Sequence, residues 1–465
     1  MTGGGTTPHT EEPRRGILKG EVAPTGPAAD RQTWNRRIWA LAGPIILSNV
    51  TVPLLGMVDT AVVGHLPDPR YIGGVAIGAL IFNFVYWGFG FLRMGTTGPT
   101  AQAWGAEDAA EIRAVLARAL LLALGLGLAL LLVQGPVGAL AFRLLNASAA
   151  VEGEGAAYYA VRIWGAPAAL ANYVLLGWFF GLQNARWPLI LQVFMNGLNI
   201  VLDVVFVLGL GWGVEGVAAA TLIAEYAALA LGLALAARRL GLLGPVAAGR
   251  RILDGARFRR MLAVNRDIFI RTLLLITSFA LFTDRGATLG DVTLAANAVL
   301  LNLVSTSAFA LDGFAHAAEA LVGGAVGRRS RADLSGAVRT TMRWGGIAAI
   351  VTAAAFAVAG GLLIDLLTTI PEVRALARAY LPWAAAMPLI SVWCYLYDGI
   401  FLGATRTHEM RNAAIITTAL YVAALWSFVP LWGNDGLWLA LLTMNALRGL
   451  TLAAYYPRLA RGVAG

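Results

Sequence analysis

Trp212-Gly213-Val214-Glu215-Gly216-Val217 opens a long apolar run, and Trp432-Gly433-Asn434-Asp435-Gly436-Leu437 opens another in the same spacing, 220 residues later. Earlier in each half, Tyr159 and Tyr380 begin apolar runs that Pro167 and Pro388 interrupt at nearly the same offset. Self-similarity over such a distance marks a duplicated architecture. Working outward from these runs gives twelve apolar segments: 41–64, 74–97, 115–140, 156–182, 187–210 and 214–237, then 264–285, 293–323, 340–367, 376–402, 410–431 and 435–456. Most can cross roughly 30 Å of hydrocarbon at about 1.5 Å per helical residue. The longest stretch between them, 238–265, separates two sets of six. An even number of spans inserts both halves the same way up, so the expected fold is an all-α polytopic membrane protein with two six-helix lobes related by a pseudo-twofold along the membrane normal.

Composition agrees. Of 465 residues, 58% are hydrophobic and only 13% charged, and the mean hydropathy is +0.70. A soluble chain would carry about a quarter of its residues as charges. The net charge of +9 points away from nucleic acid, because the basic residues lie between apolar runs and not on a polar domain. Sorted by side, the tails and even-numbered loops hold 26 of the 35 Arg and Lys, whereas the odd-numbered loops hold only Arg70, Arg143, Arg285, Arg374 and Arg378. That asymmetry puts both termini in the cytoplasm, in the cell (inner) membrane. Residues 1–33, rich in Gly, Thr and Pro, read as a disordered cytoplasmic tail without a cleavable leader. The remaining organisation is an N-lobe at 34–240, a cytoplasmic inter-lobe loop at 241–263 and a C-lobe at 264–465.

One cysteine, Cys394, leaves no internal disulfide and no Cys-based metal cluster. The four histidines, His9, His65, His316 and His408, are scattered, and no paired acidic motif is present, so no cofactor and no enzymatic site is expected. Charge at bilayer depth costs about 3 kcal/mol on insertion scales, which makes each intramembrane ion a functional candidate. These are Asp59, Arg93, Arg162, Asp203, Glu225, Arg271, Asp312, Glu319, Asp398 and Arg448. Glu225, Glu319 and Arg448 read best as structural ions near interfaces, and Arg93, Arg162 and Arg271 as counter-ions to buried acids. Asn196, Asn199 and Asp203 recur at spacings of three and four, so they share one helical face that belongs inside the bundle. Asp59 follows Pro44, whose missing N–H permits a helix bend. Two acids in one lobe could share a proton or a small cation.

Pro44 followed by Met57-Val-Asp59-Thr-Ala-Val-Val-Gly64, then Asn199-Ile-Val-Leu-Asp203, then Gly213-Val-Glu-Gly-Val-Ala-Ala-Ala-Thr221, resembles the MATE (multidrug and toxic compound extrusion) transporters. Asn265-Arg-Asp-Ile-Phe-Ile-Arg271-Thr is similar to the DinF branch of that family. The resemblance implies secondary antiport, in which an inward proton or sodium gradient expels small amphipathic, often cationic, compounds. It implies a coupling site at Asp59, Asn199, Asp203 and Thr221, the only expected position for a bound sodium. Asp398, in Tyr397-Asp398-Gly399, resembles the span-ten acid of the NorM branch. That branch pairs it with a span-seven acid where this chain has Arg271, which leaves Asp398 unpaired and favours N-lobe coupling. Asp, Asn and Thr oxygens suit a hard cation such as sodium, and the DinF resemblance favours protons. Asn172, Tyr173 and Met195 are candidates for the substrate cleft. The chain is expected to act as a monomer in the bilayer. Rival readings are a flippase of a lipid-linked precursor, which would turn Arg93, Arg162 and Arg271 all toward the cavity, and, more distantly, a membrane-embedded transferase.

Overall fold

The computed structural model describes residues 31–64, 66, 68–145, 148–244 and 249–463; within the first helix the side chains at 31, 50–55, 57, 59 and 60 lie outside that description. The proposed tail therefore lies outside the described residues almost entirely. Among the described residues every regular element is helical.

Span one is α1 (Arg31–Val63), which continues through Pro44. Span two is two helices, α2 (Pro69–Gly88) and α3 (Phe91–Gly105), that meet at Phe89–Gly90. Asp68 starts α2 by accepting from the backbone N–H of Arg70 (2.9 Å), with Pro69 in the first-turn position where its missing donor is harmless. Span three is α4 (Ala109–Leu132) and α5 (Gln134–Leu144). Span four is α6 (Ala149–Arg162), a 3-10 turn at 163–165, and α7 (Ala166–Gly181); the break comes just before Pro167, which takes an N-terminal position of the new helix. Pro388 behaves differently, because α14 runs straight through it. Span five is α8 (Arg186–Asp203) followed by a π-helical turn at 204–209, and span six is α9 (Gly213–Leu242). The connecting stretch contains the short α10 (Gly249–Ile252). Span seven, α11 (Gly255–Thr288), begins inside the segment read as a loop, because Asp254 caps it by accepting from the N–H groups of Ala256 and Arg257 (2.9 and 3.2 Å). Spans eight to ten are α12 (Asp291–Gly327), α13 (Arg331–Leu367) and α14 (Pro371–Gly403). Spans eleven and twelve form α15 (Thr407–Gly462), divided at Gly433, whose φ of 54° and ψ of −126° no helix contains.

The duplication shows in the backbone. Left-handed turns at Glu107 and Arg329, and at Gln183 and Thr405, are each 222 residues apart. Close packing repeats at the same separation. A Cβ on Gly177 would lie 2.3 Å from the Arg93 carbonyl, and one on Gly399 would lie 2.2 Å from the Ala315 carbonyl. Span two thus seats on span four as span eight seats on span ten. The outer surface is apolar, with Leu132, Val358 and Leu366 among the most exposed side chains, as hydrocarbon requires.

The lobes meet where α3 lies against the ends of α12 and α14. A Cβ on Gly98 would stand 2.3 Å from the Leu402 carbonyl, and one on Gly105 2.1 Å from that of Gly324. Gln102 donates across the seam to the Gly403 carbonyl (2.9 Å) and Thr405 Oγ1 (3.1 Å). Charges reinforce the rim at this end. Arg251 bonds both oxygens of Asp108 (2.7 and 2.6 Å), Arg118 joins Glu111 to the Arg251 carbonyl, and Arg257 of α11 pairs with Glu111 of α4.

Candidate transport site

α8 carries a polar stripe on an otherwise apolar helix. Gln192, Asn196, Asn199 and Asp203 follow one another at spacings of four, three and four, and the last three are buried. Gln192 donates to Asn196 Oδ1 (3.2 Å). In the amide orientation its neighbours satisfy, Asn199 donates to Asp203 Oδ2 (3.2 Å) and accepts from Thr221 Oγ1 (3.1 Å) and the Thr221 backbone N–H (3.0 Å). Asp203, Asn199 and Thr221 therefore form one hydrogen-bonded cluster between α8 and α9. Asp59 lies on α1, which packs against α8, but its side chain is outside the described residues.

The stripe starts at a cavity of about 250 Å³ inside the N-lobe. Asn172, Tyr173 and Met195, the three cleft candidates, all line it, together with Tyr86, Gln192 and Glu225. Asn172 is fixed by donation to the Glu225 backbone carbonyl (2.9 Å). The Glu225 carboxylate is held by a two-pronged bond from Arg162 (2.8 and 2.5 Å), whose guanidinium also lies over the rings of Phe82 and Tyr86. The cavity thus has aromatic walls, amides and a neutralised ion pair.

The C-lobe corrects one expectation. Asp398 is not unpaired: Arg271 of α11 and Arg448 of α15 both donate to its Oδ2 within the buried interior. Arginine takes the place of the absent acid and a second arginine joins from span twelve, so the site is filled by guanidinium groups. Glu319, read as a structural ion near an interface, paired or snorkelling, is fully buried and pairs with Arg93 (3.5 Å). Glu225 and Arg448 are likewise buried and paired.

The MatE family pattern matches residues 44–205 and 268–426, one segment in each lobe. The chain belongs to the MATE family. It is similar to DNA damage-inducible protein F of Escherichia coli, at 46% identity over 424 residues that cover 91% of this chain and 92% of that one. It is also similar to a probable multidrug resistance protein, NorM, of Caulobacter vibrioides, at 28% identity over 89% of this chain and 86% of the other. In fold it matches a MOP superfamily transporter from Pyrococcus furiosus, with a TM-score of 0.85, 19% identity, and coverage of 97% and 99%. This MATE-family chain is a multi-pass membrane transporter of the multidrug and toxin efflux class.

Arg93, Arg162 and Arg271 each sit on a carboxylate, which is the counter-ion arrangement and not the row of free cations a diphosphate-binding cleft would present. What sequence reading missed in this MATE-family chain is which acid each arginine serves. The partners lie 226, 63 and 127 residues away, and no local spacing encodes such pairings. Gln192 was also missed, although its position one turn before Asn196 on the same face was a usable signal.

Proposed function

We propose that this MATE-family chain is a secondary antiporter that expels small amphipathic, often cationic, organic compounds in exchange for an inward cation, protons in preference to sodium. The observation that carries the reading is the continuous stripe from Gln192 at the cavity to Asp203 in the cluster with Asn199 and Thr221. One helix face thereby touches both the space for an apolar guest and a buried carboxylate. In this reading Asp59 and Asp203 bind the coupling cation and release it as the cleft changes sides, and Pro44 lets α1 bend toward or away from α8. A buried carboxylate hydrogen-bonded to an amide can exchange a proton when its surroundings bring its pKa into reach. The same oxygens would hold a sodium ion, should that be the coupling species. The basic asymmetry between loops supports cytoplasmic termini in the inner membrane, with the closed end of the lobes facing the cytoplasm.

The test is dye efflux from proteoliposomes under a pH gradient and a sodium gradient imposed separately. Export driven by the pH gradient alone is expected. Undiminished efflux by the Asp59→Asn, Asp203→Asn double variant would end the N-lobe mechanism.

A further inference from the structure

Three of the buried carboxylates at bilayer depth, Glu225, Glu319 and Asp398, have arginine partners, and they differ in where the partner comes from. Glu225 and Arg162 both belong to the N-lobe, on α9 and α6. Asp398 and its two arginines all belong to the C-lobe, on α14, α11 and α15. Rigid-body rocking of the lobes leaves these groups intact. Glu319 is different, because it stands on α12 of the C-lobe and its partner Arg93 stands on α3 of the N-lobe.

The same face of α12 makes two more contacts across the seam. His316, one turn before Glu319, stacks on Phe180 of α7 with ring centroids 5.9 Å apart. Gln183, just beyond α7, donates to the Ala320 carbonyl (3.3 Å). Arg93 itself is firmly placed: its carbonyl accepts from Thr97 Oγ1 (3.0 Å), and Gly177 leaves no room behind it. Glu319 is fully buried, whereas the Arg93 side chain is 13% exposed. The charged groups that act on Glu319 are Arg93 from α3 and Arg271 from α11, and the Thr97 side chain of α3 hydrogen-bonds it; Asp312 and His316, two turns and one turn earlier on α12, also feel Arg93, and Asp312 feels Arg271, Asp398 and Arg448 as well. Arg271 and Arg448 are committed to Asp398. No guanidinium in the C-lobe cluster is therefore free to follow Glu319 when the lobes part.

We propose that Glu319 is a positioning residue of the transport cycle: its ion pair with Arg93 latches the lobes at the end where α3 meets α12, and a proton takes the place of Arg93 when they separate. A carboxylate left in that low-dielectric interior without a counter-charge is strongly disfavoured, so separation and neutralisation are linked. The latch is independent of which ion binds near Asp203, and it gives lobe opening its own dependence on pH.

The test uses the full chain in lipid nanodiscs, with spin labels on the exposed Ala106 and Ala332 at the closed end, Cys394 replaced by Ala, and Asp203→Asn added to silence the N-lobe. Distances between labels are measured by pulsed electron resonance from about pH 8 to about pH 5, a range that spans a perturbed buried carboxylate. The separated population is expected to grow roughly tenfold on acidification. Glu319→Gln and Arg93→Gln should each show that population already at neutral pH with a flattened pH response, and the double variant should go no further than either. Should Glu319→Gln fail to assemble, Arg93→Gln, at the more exposed partner, carries the same expectation. Variants that stay closed with an unchanged pH response, or whose effects add in the double variant, would overturn the latch. Loss of dye efflux in Asp203→Asn with the label response retained would separate this proposal from the coupling reading.

Discussion

Asp203 in the N-lobe and Asp398 in the C-lobe are both acids buried within a six-helix lobe, and their surroundings could hardly differ more. Asp203 meets an amide and, through it, a hydroxyl, on two adjacent helices. Asp398 meets two guanidiniums from two further helices. Neutral partners rearrange around a carboxylate whether or not it carries a proton. Two fixed cations do not, because removing the anion would leave them facing each other without compensation. The duplicated fold thus carries one buried acid bonded to an amide and another held by two guanidinium groups.

The largest effect that could break this comparison is on transport. Asp203→Asn keeps the shape and removes the exchangeable charge, so gradient-driven dye efflux should vanish with folding retained. Asp398→Asn should act on stability instead. Leaving Arg271 and Arg448 without their acid should cost about 3–5 kcal/mol in unfolding measurements, while efflux per folded molecule falls less than in Asp203→Asn. Equal loss of efflux in the two variants, at equal folded amounts, would mean that the C-lobe couples after all.

A smaller effect sharpens the symmetry on which the comparison rests. Gly177→Ala and Gly399→Ala each press a methyl group against a carbonyl, of Arg93 and of Ala315. Both should destabilise by about 1–3 kcal/mol, as overpacking does, and a clear inequality would show that the paired seats are not equivalent. The smallest effect concerns the rim. Burial raises the Asp108 carboxyl, but hydrogen bonds from Arg251 and the Glu111 backbone N–H outweigh it and hold the group below its ordinary 3.8. Its contribution is therefore fully present above that value and lost only as pH falls through the lower, folded one. Between about pH 8 and about pH 5 the rim contact should be unchanged, so labels reporting on Arg251 and Asp108 alone should stay in place there.

Much of this was legible in the residues. Long apolar runs, the repeated tryptophan turns and the Asn196–Asn199–Asp203 periodicity each follow from local rules, and the structure has helices at all twelve segments with Asn199 bridging Asp203 and Thr221. Helix breaks were legible only in part: Pro167 marks one, and another carries no such signal. Hydropathy continues through Phe89–Gly90, where the backbone changes course without a polar residue to announce it, whereas the break at Val133 is marked only by the Gln134-Gly135-Pro136 that follows. The break near Pro167 and the unbroken helix at Pro388 show that proline permits an interruption but that packing decides it. Ion pairing was invisible for a related reason: Arg271 and Arg448 reach Asp398 only after the C-lobe has closed around them.

The π-helical turn at 204–209 directly follows Asp203. The halves run 222 residues apart as far as Gln183 and Thr405, yet 220 apart at Trp212 and Trp432. The N-terminal copy is therefore two residues longer, and the surplus falls in the interval that holds the polar stripe and the wide turn. Extra length in a packed helix must be absorbed as a bulge, since both ends are already anchored by neighbours. The two copies therefore diverge by insertion or deletion as well as by substitution, and this difference in length lies between Gln183 and Trp212, the interval that contains Asp203.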